Sequence, residues 1–119
     1  MALASDIMRG GFSAISARAV QGQTNGAIAA AGTTQGTATD LTMSNNAVTS
    51  GTGGVQRPSA EISDEIAILN ISGSQITVYP PTSEQINSLS ANTGFLLGNN
   101  TAVKVKKFTA TRWMAFLSA

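Results

Sequence analysis

The sequence predicts a mainly β protein: a small antiparallel β-sandwich or barrel, jelly-roll-like, carrying an extended or partly helical N-terminal arm. Three observations carry this expectation. From Val55 onward, short apolar and β-branched runs recur at regular spacing, separated by Gly, Pro or Asn turns. The length of 119 residues suits one domain and is short for two. Finally, 42% of the chain is hydrophobic, enough for a core, while only 11% is charged, against roughly 25% in an ordinary soluble domain. Ala, Thr, Ser, Gly and Asn fill 65 of the 119 positions. A surface so poor in charge associates readily, so composition leans toward an assembled protein.

Residues 1–25 read as the arm. Ser5 suits a helix N-cap, and Asp6 falls in the first turn, where the helix dipole favours an anion. Ile7, Met8, Phe12, Ile15 and Ala19 recur at helical spacings. Gly10-Gly11 interrupts them and costs about 2 kcal/mol relative to alanines. Two readings stand: a helix docked on its own core, or an arm that orders only against a partner. The Gln21–Gly26 stretch, made of Gln, Gly, Thr and Asn, resembles a tether and favours the second.

Residues 26–119 then form a single β-domain, with Thr/Gly-rich strands or a connector over 26–54 and the core β-module over 55–119. The Thr-rich run from Thr33 to Thr42 favours extended chain. Asn45–Thr49 is a second short strand, and Gly51-Thr52-Gly53-Gly54 turns. Glu65–Ile71 is apolar on both faces, as in a central strand, and Ser72-Gly73-Ser74 is a three-residue turn. Gln75–Tyr79 places Ile76 and Val78 inward. Pro80-Pro81 stops it, because neither proline can donate to a ladder. Ile86 and Leu89 anchor the next loop, and Asn92-Thr93-Gly94 turns into Phe95-Leu96-Leu97. Ala102–Phe108 alternates, with Val103 and Val105 in and Lys104 and Lys106 out. Arg112–Leu117 is apolar on both faces. The strands number five or six. The expected core is Ile66, Ile68, Leu69, Ile76, Val78, Val103, Val105 and Trp113.

The chain has no Cys and no His. Disulfides, thiolate nucleophiles, iron–sulfur clusters, thiolate zinc sites, imidazole bases and His-ligated metals are therefore excluded. Six carboxylates, three Lys and one Tyr would have to supply any catalysis, and the expectation is that the protein is not an enzyme. The net charge of +1 and pI of about 8.2 reflect a near-balance of few charges and point to no acidic or basic partner. No run approaches the roughly 18 apolar residues that cross a bilayer. The N-terminus, acidic at Asp6, does not read as a signal peptide, so synthesis in the cytosol without standard export is expected.

Two charged constellations stand out. Glu61, Asp64 and Glu65 precede the central strand. They read as a solvated turn rather than a cation loop, because no EF-hand spacing is present; a charged contact with a neighbouring subunit is the other reading. Lys104, Lys106 and Lys107, with Arg112, form a basic hairpin. It reads as a protected sheet edge, as a partner for acidic residues of a neighbour, or as a nucleic-acid contact. The net charge of +1 argues against the last. The glycine segments 51–54 and 94–98 lack a Lys-Ser/Thr pair and are turns rather than phosphate loops.

Several segments together resemble a known pattern: Arg57-Pro58-Ser59-Ala60-Glu61, Asp64–Gly73, Ile76-Thr77-Val78-Tyr79-Pro80-Pro81, Ile86-Asn87 with Gly94-Phe95, and Trp113-Met114-Ala115-Phe116. They resemble small β-modules of tailed-bacteriophage virion structural proteins, of the capsid decoration (cement) and head-fibre type. Ser5–Ser13 is similar to the start of small phage structural proteins. The resemblance covers roughly the last 65 residues well and the rest loosely. The chain departs from fibre proteins in having no coiled-coil heptads and no long repeats.

The resemblance implies a virion structural role and often a trimer; residue content and charge add the expectation of no cofactor, metal, nucleic acid or membrane. The expected function is a decoration protein on the capsid exterior, made in the host cytoplasm, that bridges capsomers of the major capsid protein. A tail-associated or fibre-base protein and a non-viral adhesive module are the alternatives. Ile7, Met8, Arg9, Phe12, Ile15 and Arg18 are the expected capsid-contact residues. Tyr79, Arg112, Met114 and Phe116 are the expected subunit contact in a homotrimer, because the last strand is apolar on both faces at the chain's end. The acidic turn and the basic hairpin are expected to pair head to tail around the ring.

Overall fold

The computed structural model describes residues 23–57 and 60–118, which form a mainly β sandwich of two sheets around one core. Among the described residues there are ten strands, several only two or three residues long. The six-stranded sheet runs, in spatial order, β1 (Thr24–Ala30), β3 (Asn45–Gly51), β5 (Glu65–Asn70), β9 (Thr101–Lys107), β10 (Arg112–Leu117) and β7 (Gln85–Ile86). The four-stranded sheet runs β2 (Thr39–Asp40), β4 (Gly54–Gln56), β6 (Ile76–Tyr79) and β8 (Phe95–Leu97). The region 26–54 is thus strand-forming. The expected arm boundary at residue 25 falls inside β1, because Thr24 and Asn25 pair in register with Asn45 and Asn46.

Pairing is mixed rather than wholly antiparallel. β9 lies antiparallel to β5 and β10, and β8 to β6. From β1 to β6, however, the chain alternates between sheets, and each strand runs parallel to the one two before it. These six strands are three stacked coils of a flattened solenoid. Thr24, Asn45 and Ala67 stand side by side although 21 and 22 residues apart. A chain that crosses to the facing sheet and back re-enters its first sheet in the same direction, whereas a hairpin reverses it.

Asn70 explains why the Ser72-Gly73-Ser74 turn is an arch between sheets and not a hairpin. Its side chain is fully buried. Its amide donates to the carbonyls of Ser74 (2.8 Å) and Leu97 (3.0 Å), and its Oδ1 accepts from Ser72 N (3.1 Å) and Oγ (2.7 Å). Gly73, at φ +94°, completes the bend in a backbone region costly for other residues. Asn70→Ala is expected to cost about 1–3 kcal/mol, because it orphans buried carbonyls. A drop in denaturation midpoint with unchanged m-value is the check.

The strand period of two builds the core. Ile66, Ile68, Ile76, Val78, Val103, Val105 and Trp113 are buried as expected, joined by Leu41, Val48, Val55, Ile86 and Leu97 from both sheets. Leu69 is the exception at 39% exposure. β5 is not covered on both faces: Ile66 and Ile68 point inward, so Leu69 shares the outer face with Glu65 and Ala67. Gly51, at φ +87°, lets β3 pass β1 so closely that a Cβ there would strike the Ala30 carbonyl.

Candidate interaction surface

The outer face of the six-stranded sheet collects Leu69, Phe108, Met114 and Phe116, four of the eight exposed large apolar side chains among the described residues. Period two puts Glu65, Ala67 and Leu69 of β5 on it, with Lys104 and Lys106 of β9 and Arg112, Met114 and Phe116 of β10. Phe108 follows just beyond β9 with the same parity. Met114 faces Lys106 across the ladder, Phe116 faces Lys104, and Leu69 faces Ala102. Met114 is 39% exposed, Phe108 48% and Phe116 55%. The rings of Phe108 and Phe116 lie 6.4 Å apart at 59°, a favourable tilted geometry. Lys106 Nζ sits 5.6 Å from the Phe108 ring centre, within cation–π range. Toward β1 the same face hollows into an apolar recess of about 240 Å³, rimmed by Thr24, Asn45, Ala47, Ala67, Leu69 and Ala102.

Two of the cations on this face, Lys104 and Lys106, have a carboxylate partner within the chain. Glu65 lies 3.9 Å from Lys104 and 3.6 Å from Lys106. The premise of the head-to-tail pairing, that acidic turn and basic hairpin lie apart, is corrected: Glu65 and the two lysines, some forty residues apart in sequence, become neighbours because β5 and β9 share a ladder. The edge-protection reading also fails, since β9 lies between β5 and β10. Such exposed pairs are worth about 0–1 kcal/mol each and set register more than stability. Asp64 is occupied too, its carboxylate accepting from Glu61 N at 3.0 Å.

Lys107 does not belong to the exposed basic set. It follows Val103 and Val105 inward and is 6% exposed. Its Nζ reaches Glu84 Oε1 at 2.9 Å and donates to the Ala60 carbonyl at 2.9 Å. Trp113 Nε1 donates to the same Glu84 oxygen at 2.9 Å. This ion pair, joined by an indole, ties the 84–86 segment to β9 and β10. Alternation along β9 signals it in sequence, but its partner Glu84 is visible only in the fold.

The chain was compared with family models, curated proteins and solved structures. No match is found. The interaction surface therefore stands on its geometry.

The structure separates the four expected subunit-contact residues. Arg112, Met114 and Phe116 share the outer face of the six-stranded sheet. Tyr79 lies on the outward side of the four-stranded sheet, against Gly54 and Gly94, with its hydroxyl donating to the Thr33 carbonyl at 3.3 Å. It serves intrachain packing, since a Cβ at either glycine would crowd its ring. Leu69 and Phe108 join the surface instead; their parity with Glu65 and Lys106 was the available signal. Ile7, Met8, Arg9, Phe12, Ile15 and Arg18 lie outside the described residues.

Proposed function

We propose that the protein is a phage capsid decoration protein, binding the outside of the major capsid protein shell as a homotrimer and bridging capsomers. The observation that supports this best is the apolar outer face of the six-stranded sheet, where Glu65 pairs with Lys104 and Lys106 within the chain. A face of this kind gains free energy by covering Leu69, Phe108, Met114 and Phe116, about 25 cal/mol per Å² of apolar area. It offers a binding partner area and shape rather than chemistry. Among the described residues no acidic group of three or more gathers as a metal site would. The resemblance of Asp64–Gly73 and Ile76–Pro81 to phage virion modules supplies the capsid as the partner.

The test is to mix the purified chain with shells assembled from the major capsid protein of the same virus, pellet them and count bound copies. Hundreds per shell are expected. A dozen or fewer on the intact particle would place the chain on the tail, and none would make it a non-viral adhesive module. In the trimer, Met114 and Phe116 form the subunit contact, and Tyr79 does not. Light scattering should give a trimer mass for the native chain and a monomer mass for Met114→Asp with Phe116→Asp. Tyr79→Phe should leave the mass unchanged. A monomeric native chain would overturn the assembly.

A further inference from the structure

We propose that Asn25 is a self-modification site: at a bulge in β1 its side-chain amide is converted by water into a carboxylate, through ring closure onto the Gly26 nitrogen. Four observations meet there. Asn25 and Gly26 are both exposed. The register of β1 pairs Asn25 with Asn46 and next Ile28 with Val48, so Gly26 and Ala27 stand opposite Ala47 alone, the residue count of a β-bulge. A Cβ built on Gly26 would meet nothing within 4 Å. Finally, the Asn25 side chain folds back along its own backbone, its Oδ1 accepting from Ala27 N at 3.2 Å.

The chemistry follows from that hydrogen bond. An Asn side chain bonded to the N–H two residues on lies along the intervening peptide, with its carbonyl carbon turned toward Gly26 N. The Ala27 N–H donates to the oxygen on which negative charge develops when this carbon is attacked, as an oxyanion donor does. Glycine carries no side chain to block the attacking nitrogen. Gly26 N gives its proton to solvent base and bonds to Cγ of Asn25. The Cγ–Nδ2 bond breaks, and Nδ2 takes a proton from solvent and leaves as ammonia. Water opens the resulting five-membered imide at either carbonyl. Opening at Cγ gives aspartate, and opening at the main-chain carbonyl gives isoaspartate. One water is consumed and one ammonia released, with no oxidation or reduction.

The two products act differently on the fold. Aspartate keeps the main chain and takes the formal net charge from +1 to 0. Isoaspartate adds one carbon to the main chain beside the pairs Thr24–Asn45 and Asn25–Asn46, where the Gln23 carbonyl also accepts from Asn45 N at 2.9 Å. It shifts those pairs out of register, while β1 from Ile28 onward keeps its own. Thr24 rims the apolar recess, so the modification alters one border of the interaction face. The inference concerns the chain by itself and does not rest on the capsid reading.

Other asparagines supply the contrast. Asn92 and Asn99 are exposed too, but Thr93 and Asn100 follow them, and a side chain there crowds the attacking nitrogen. Their Oδ1 atoms accept from Ser83 N and Gly73 N, far along the chain. In the test, the full chain is kept in mildly alkaline buffer, digested and read by peptide mass, with aspartyl and isoaspartyl peptides separated by chromatography. A parallel sample is kept unfolded in guanidinium chloride. In the folded chain Asn25 should convert about tenfold or more faster than Asn92 or Asn99, and no slower than in the unfolded chain, because the fold holds the reacting atoms in place. Gly26→Ala, for which the bulge has open space, should slow the conversion about tenfold or more by shielding the nitrogen. Slower conversion of Asn25 in the folded than in the unfolded chain would overturn the proposal. So would an unchanged rate in Gly26→Ala, or conversion of Asn92 or Asn99 ahead of Asn25.

Discussion

Glu84→Ala is expected to cost the domain about 3–5 kcal/mol, enough to remove most of the stability of a small domain. Among the described residues Glu84 is the one acceptor that the Lys107 ammonium and the Trp113 indole share, through one oxygen at 2.9 Å from each. The two charged side chains are 7% and 14% exposed. Removing the carboxylate leaves a buried cation with, among the described residues, only the Ala60 carbonyl. Denaturant unfolding at pH 7 is the measurement, with near-ultraviolet signal from Trp113 reporting the local packing. Glu84→Gln combined with Lys107→Met should recover much of the loss, because a neutral pair of similar volume carries no charge-desolvation penalty. A cost below about 1 kcal/mol for Glu84→Ala would show that the pair is not buried in solution.

The second large effect separates two neighbouring residues. Ile68→Ala is expected to cost about 2–5 kcal/mol, while Leu69→Ala costs less than about 1 kcal/mol. Ile68 is fully buried among the core side chains of both sheets, whereas Leu69 points to the outer face at 39% exposure. A large-to-small change in a closed core leaves a cavity; on an open face solvent fills the space. At roughly 4–8 °C per kcal/mol for a domain of this size, Ile68→Ala should lower the melting temperature by about 10 °C or more. Equal losses for the two would mean that the outer face is covered in the measured assembly at Leu69. Measuring below the assembly's dissociation concentration separates that outcome from a misplaced strand.

Mutual support runs through these elements. β5 carries Ile68 into the core, Glu65 and Leu69 onto the face, and Asn70 into the arch that sends the chain to the other sheet. A substitution in this strand therefore reads out in a distinct observable according to its parity: stability for Ile68 and Asn70, surface association for Leu69.

Much of this was legible in the residues alone. The two-residue period of Ile66/Ile68, Ile76/Val78 and Val103/Val105 announces a β-core, and Pro80-Pro81 ends β6 at Tyr79, because side-chain alternation and a missing N–H are local properties. The lack of Cys and His removes whole chemistries whatever the fold. What the sequence could not decide was which strands become neighbours. The Ser72-Gly73-Ser74 turn is compatible with a hairpin or an arch, and only the hydrogen bonds of Asn70 to Ser74 and Leu97 make it an arch. Once the chain crosses between sheets, β1, β3 and β5 stack parallel, and Glu65 meets Lys104 and Lys106 within one chain. Tyr79 and Phe116, both expected at one subunit contact, part to opposite sheets for the same reason. Parity is written in consecutive residues, but adjacency across a sheet is set by the free energy of closing the whole core, and that sum exists only in the folded chain.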